Sequence, residues 1–179
     1  MNIAAFLPQR FDENEWFILS ISCLLVLLIW LLQKNWPKLS ITELIFIFLF
    51  NQCFSAIIDH LLAMPPFDWY DTGDHPYPAM DDIFLHVMMY PGMTYIVLYV
   101  YMLWRPKYAW LIGYIIVCSF VTTVLDWMST RYFHVITYKS WNIMYSFGFY
   151  SLVFVINIYA ITKVRRALLL SKSARRQTP

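Results

Sequence analysis

The stretch ITELIFIFLFNQCFSAIIDHLLAM, residues 41–64, decides the fold. It is apolar for longer than the roughly 20 helical residues that cross a hydrocarbon core about 30 Å thick. Working outward, four more runs qualify, at about 16–32, 83–103, 110–128 and 141–161. The first is the shortest and would cross with little tilt or with its ends snorkelling. Composition agrees: 60% hydrophobic, 20% aromatic and 13% charged residues lie far from soluble usage. The expectation is an all-α, polytopic membrane protein, a single domain over 1–179 with five transmembrane helices.

Charge predicts the orientation. The turns after helices 1 and 3 carry Lys34, Lys38, Arg105 and Lys107, and the tail 162–179 carries Lys163, Arg165, Arg166, Lys172, Arg175 and Arg176. The opposite side holds Asp12, Glu13, Glu15, Asp68, Asp71, Asp74, Asp81 and Asp82, against Arg10, Arg131 and Lys139. Basic residues stay cytoplasmic, so the N-terminus is expected outside and the C-terminus inside. Tryptophan marks the same interfaces: Trp16, Trp69, Trp127 and Trp141 outside, Trp30, Trp36, Trp104 and Trp110 inside. The basic tail is read as a topology signal that can also rest on anionic headgroups.

Other features narrow the function. No basic n-region leads into a cleavable apolar segment, so helix 1 is expected to be an uncleaved anchor. Cys23, Cys53 and Cys118 fall inside the spans, as small apolar residues rather than a disulfide or CxxC framework. The loop 65–80 carries Pro65, Pro66, Pro76 and Pro78, which exclude a helix. Its Phe67, Trp69, Tyr70 and Tyr77 give it an apolar side, so it is expected to pack as a lid on the outer mouth. No inverted repeat of the transporter kind is present. Walker, dinucleotide, nucleophile-elbow and zincin motifs are missing, and nothing suggests nucleic acid as a partner.

The informative positions are the costly ones. An ionisable group at membrane depth costs roughly 2.5–3.5 kcal/mol and faces the bundle interior. Asp59, His60, His86 and Asp126 all thread to the outer ends of helices 2, 3 and 4, with Asp82 one turn before His86. Four-residue spacing puts Asn51, Ser55 and Asp59 on one helical face, with Gln52 beside them. Asp82, His86 and Tyr90 form a second stripe, and Ser119, Thr122, Thr123 and Asp126 a third. Helix 5 opens with Asn142, Tyr145 and Ser146. Stripes of this kind avoid lipid by facing one another, which predicts a polar, outward-facing cavity among helices 2, 3 and 4, closed by helix 5.

Three chemistries fit such a cavity. Asp59, His60, His86 and Asp126 suit a divalent metal ion as cofactor. His with a carboxylate also suits proton handling or the binding and passage of a small cation or ligand, as in a transporter. The third is a membrane enzyme acting on a lipid or outer-face substrate, with His86 as base. The plain reading is a polar network that glues helices, as in an accessory subunit with a membrane-protein partner. Simpler readings absorb the other candidates. Glu43 completes a capping box with Ser40. Pro91 and Gly92 are expected to kink helix 3. Asp68, Asp71, Asp74 and His75 miss the calcium-loop pattern and read as a solvated acidic loop, and nothing singles out His134.

Several strings carry a resemblance: Phe84-Leu85-His86 with Tyr90-Pro91, Val124-Leu125-Asp126-Trp127, Tyr132-Phe133-His134-Val135-Ile136-Thr137-Tyr138, and Trp141. Over about 83–160 the chain resembles a family of small, uncharacterised membrane proteins of endospore-forming bacteria. This chain has Leu85-His86 where that family tends to place an acid after the aromatic residue. The resemblance implies about five helices and a bacterial cytoplasmic membrane, and it implies no activity.

Overall fold

The computed structural model describes residues 11–72 and 83–177. Its helices are α1 (Glu13–Asn35), α2 (Ile41–Leu62), α3 (Leu85–Trp104), α4 (Ala109–Phe133) and α5 (Ile143–Gln177). All five are long and apolar enough to cross a membrane. Two short strands, β1 (Tyr70–Thr72) and β2 (Ile136–Tyr138), pair antiparallel between the α2–α3 and α4–α5 connections.

The caps follow from local chemistry. Asp12 with Glu15 and Ser40 with Glu43 form reciprocal capping boxes at the starts of α1 and α2, satisfying the first free N–H groups. Arg105 and His134 close α3 and α4 in left-handed conformations, so His134 acquires a role the sequence does not suggest. Asn142 caps α5 by accepting the Met144 N–H at 2.9 Å.

Helix α3 has the lowest mean hydropathy of the five and is also the most enclosed, with 44% of its span buried against 17% for α2 and α4. A less apolar helix belongs in the middle, where neighbours satisfy its polar groups. Around it Ile29, Ile47, Tyr95, Leu98, Tyr99 and Ile161 fill the half of the bundle away from the strands. Leu24, Leu49, Ile57, Ile116, Phe120 and Leu152 point outward, as lipid-facing residues do. Gly92 lets α1 approach: a Cβ there would stand 3.2 Å from Leu25 Cδ1.

Two expectations change in detail. Instead of a simple kink at Pro91, α3 opens with a π-helical turn over Leu85–Met89, in which the Tyr90 N–H reaches the Leu85 carbonyl. Proline removes one donor and crowds the preceding turn, and the wider turn absorbs both effects. The tail expected as a separate segment from 162 onward instead continues α5 through Gln177. A helix that long spans about 50 Å, so its basic end projects past any 30 Å core.

Candidate functional site

At the strand end of the bundle, the connections fold inward as a strap. The Trp69 carbonyl accepts the N–H groups of Lys139, Ser140 and Trp141 at 2.9, 3.0 and 3.1 Å, tying the two connections together. Tyr70 pairs in register with Tyr138, and Thr72 with Ile136. Lys139 Nζ lies 2.7 Å from Asp68 and 2.9 Å from Asp71. These two acids are therefore paired rather than merely solvated. Their hydrogen bonds raise the Lys139 ammonium above the usual lysine range. Asp74 and His75 lie outside the described residues, as does Asp82.

Beneath the strap is a cavity of about 390 Å³. It reaches all five helices, through Phe17, Ser55, Tyr90, Asp126 and Tyr150, among others. The involvement of α1 was not expected. The acids and phenols gather at the strap end, and deeper in the wall is mostly apolar, with Ile21, Leu25, Met93, Leu125, Val153 and Phe154 beside Asn51 and Thr94.

The polar end has two carboxylate centres. Tyr70 donates to Asp59 Oδ1 at 2.5 Å. His86 Nε2 stands 3.2 Å from Asp59 Oδ2, and His86 Nδ1 2.9 Å from Ser55 Oγ. Asp59 falls in the last turn of α2, where the helix dipole disfavours negative charge, so the Tyr70 hydrogen bond offsets a real cost. On α4, Asp126 Oδ2 accepts from Tyr138 at 2.8 Å, with Ser146 and Tyr150 in reach of the same carboxylate. Trp141 Nε1 donates to Ser146 Oγ at 2.9 Å. Burial pushes the Tyr70 and Tyr138 phenols well above the usual range, and the charge of Asp59 or Asp126 beside each adds to it.

The expected residues divide. Asp59, His86, Ser55, Tyr90, Asp126, Thr122 and Asn51 gather at or beside the cavity. Tyr90 sets its ring 5.5 Å from that of His86. His60 is exposed on the opposite flank of α2, Thr123 bonds back to the Ser119 carbonyl at 2.8 Å, and Asn142 serves only as a cap. Among the described residues no three His, Cys, Asp or Glu side chains converge as metal ligands. The expected set of Asp59, His60, His86 and Asp126 is thus not assembled, because helical rotation turns His60 away from Asp59.

Sequence reasoning missed Tyr70, Tyr138 and Tyr150 as partners of the acids. It also missed Asn157, which exchanges hydrogen bonds with Asn51 at 2.8 and 3.0 Å on the cavity's deep side. An asparagine in the middle of an apolar run was a legible signal for the last of these. No family model matches the chain, and neither the curated proteins nor the solved structures contain a match to it.

Proposed function

We propose that the chain is a multi-pass protein of a bacterial cytoplasmic membrane, N-terminus outside and C-terminus inside, whose bundle binds a small amphiphilic ligand under the outer strap. The orientation rests on the basic residues at one end and the acids at the other. Kinship with the small membrane proteins of endospore-forming bacteria belongs to the same reading. It rests on the strings around His86, Asp126 and Tyr138.

The observation that carries the ligand reading is the split lining of the cavity. The carboxylates and phenols gather at one end, and mainly aliphatic and aromatic walls, broken by Asn51 and Thr94, extend from them toward the bundle centre. Such a space suits a polar head of one or a few hydrogen-bonding groups with an apolar body. The buried cluster around Tyr95, Leu98 and Ile47 fills the remaining depth, which favours binding over passage of an ion across the bundle.

The test is native mass spectrometry of the detergent-purified chain, with extraction of whatever copurifies. A bound amphiphile is expected in the wild type and should be lost when Met93→Trp or Val153→Trp fills the apolar half. An empty wild-type cavity, with no thermal shift across a series of fatty acids, alcohols and monoacylglycerols, would overturn the reading.

A further inference from the structure

The His86 imidazole is gripped at both nitrogens by one face of α2. Ser55 Oγ lies 2.9 Å from Nδ1 and Asp59 Oδ2 3.2 Å from Nε2. Ser55 and Asp59 are one helical turn apart, so a single helix sets both distances. Asp59 Oδ2 stands within ion-pair distance of Nε2, and an ionised carboxylate there favours the tautomer with the imidazole proton on Nε2. In that tautomer Nδ1 is free to accept the Ser55 hydroxyl, which at rest also donates to the Gln52 carbonyl at 3.2 Å. The order is hydroxyl, imidazole, carboxylate, the arrangement that activates a serine nucleophile. Helix glue would need only one of these contacts.

The surroundings suit acyl chemistry. Ser55 and Asp59 line the cavity, and Tyr90 brings a phenol to the same wall beside the His86 ring. Tyr70 holds the second oxygen of Asp59, fixing that carboxylate against the imidazole. The apolar walls lie next to Ser55, where the chain of a bound ester would rest.

We propose that Ser55 is a nucleophile, with His86 its general base and Asp59 its positioning carboxylate, and that the site hydrolyses acyl esters of amphiphiles. The proposal rests on the ligand reading above and gives it a substrate class. Ser55 Oγ attacks the ester carbonyl carbon as its proton passes to His86 Nδ1. The bond from acyl carbon to leaving oxygen breaks, and the departing alcohol takes the proton from His86. Water, the co-reactant, attacks the acyl-serine in the same way, releasing the carboxylic acid and restoring the Ser55 hydroxyl. Within this proposal Tyr90, which lines the same cavity, is assigned as the oxyanion donor.

The experiment uses the full chain in detergent with a long-chain fluorophosphonate and, separately, p-nitrophenyl laurate. One phosphonate adduct is expected, mapped to Ser55 by peptide mass spectrometry. Ester turnover should fall on the order of a thousandfold or more in Ser55→Ala and in His86→Ala. The adduct site in the wild type needs no variant to fold. An unlabelled Ser55 in folded wild type, or turnover that survives in Ser55→Ala, overturns the assignment. Copurifying amphiphile is measured on the same sample. Its presence without an adduct leaves the binding reading standing while the catalytic one falls.

Discussion

Tyr70 and Tyr138 are partners across the two-stranded ladder, and each donates its phenol to an aspartate on a different helix. Tyr70 reaches Asp59 at the end of α2, and Tyr138 reaches Asp126 on α4. One ladder rung thus bolts the strap to two helices on either side of the cavity. The bolt sets two carboxylates against phenol donors in place of water.

Removing one phenol oxygen tests that reading. Tyr70→Phe keeps the ring and leaves Asp59 one donor short, and Tyr138→Phe does the same to Asp126. Hydrogen bonds to charged groups contribute about 1.5–3 kcal/mol, so each variant should lower the thermal midpoint in detergent by several degrees. Pairing Tyr70→Phe with Asp59→Asn should cost less than the sum of the two, because the deleted partner no longer matters. Strict additivity would show that the contact contributes nothing.

The strap should also loosen at high pH. Lys139 is raised chiefly by its hydrogen bonds to Asp68 and Asp71, and Tyr70 and Tyr138 are raised by burial and the nearby acids. For each, the folded state favours the protonated form. Their stabilisation is therefore full below the unfolded values, about 10 for tyrosine and 10.4 for lysine, and is lost as pH rises through the folded values. Hydrogen exchange at the amides of residues 69–72, corrected for its intrinsic pH dependence, should lose protection above about pH 10. It should hold between pH 6 and 9. Lys139→Met with Tyr138→Phe should flatten the dependence.

Asn51 and Asn157 offer a cleaner measure of helix–helix bonding. Their amides exchange two hydrogen bonds between α2 and α5, and each also donates to the carbonyl four residues earlier. Asn157→Leu should destabilise by about 0.6–1.7 kcal/mol, the range seen for such bonds in membranes. The double variant with Asn51→Leu should recover part of that loss, since no orphaned amide remains. Denaturant titration in mixed micelles reads both.

The sequence made the spans legible because lipid demands long apolar helices, and it made Asp59, His86 and Asp126 legible because ionisable groups are costly there. Ser55 was visible through its spacing from Asp59, although its contact with His86 was not. What local pattern cannot reveal is who meets whom across more than sixty residues. The strings YDT and ITY are too short to announce strands, so the Tyr70–Tyr138 rung stayed hidden, and the phenol partners of both acids with it. His60 was misplaced for a different reason. Adjacent helical residues diverge by about 100°, and depth alone does not settle the direction a side chain faces.

The far end of the bundle holds one more pair whose separate parts were visible. Glu43 serves as the capping residue the sequence suggests, accepting from the Ser40 N–H at 2.7 Å. It also takes Arg165 of α5, with Nε 2.6 Å from Oε1 and Nη2 3.1 Å from Oε2. Arg165 Nη2 donates at 2.6 Å to the Lys38 carbonyl as well, so one guanidinium ties α5 to the α1–α2 turn. The Glu43 side chain is 3% exposed and that of Arg165 24%, so the pair is screened far less than a surface bridge. Glu43→Gln retains a capping side chain but removes the charge, leaving a half-buried guanidinium without its counter-ion. It should cost about 2–3 kcal/mol, with little dependence on salt. Arg165→Lys keeps the charge but loses the two-pronged contact, so it should fall between Glu43→Gln and wild type. Thermal melts at low and high salt decide the matter: a loss that vanishes in high salt would make this an ordinary surface pair.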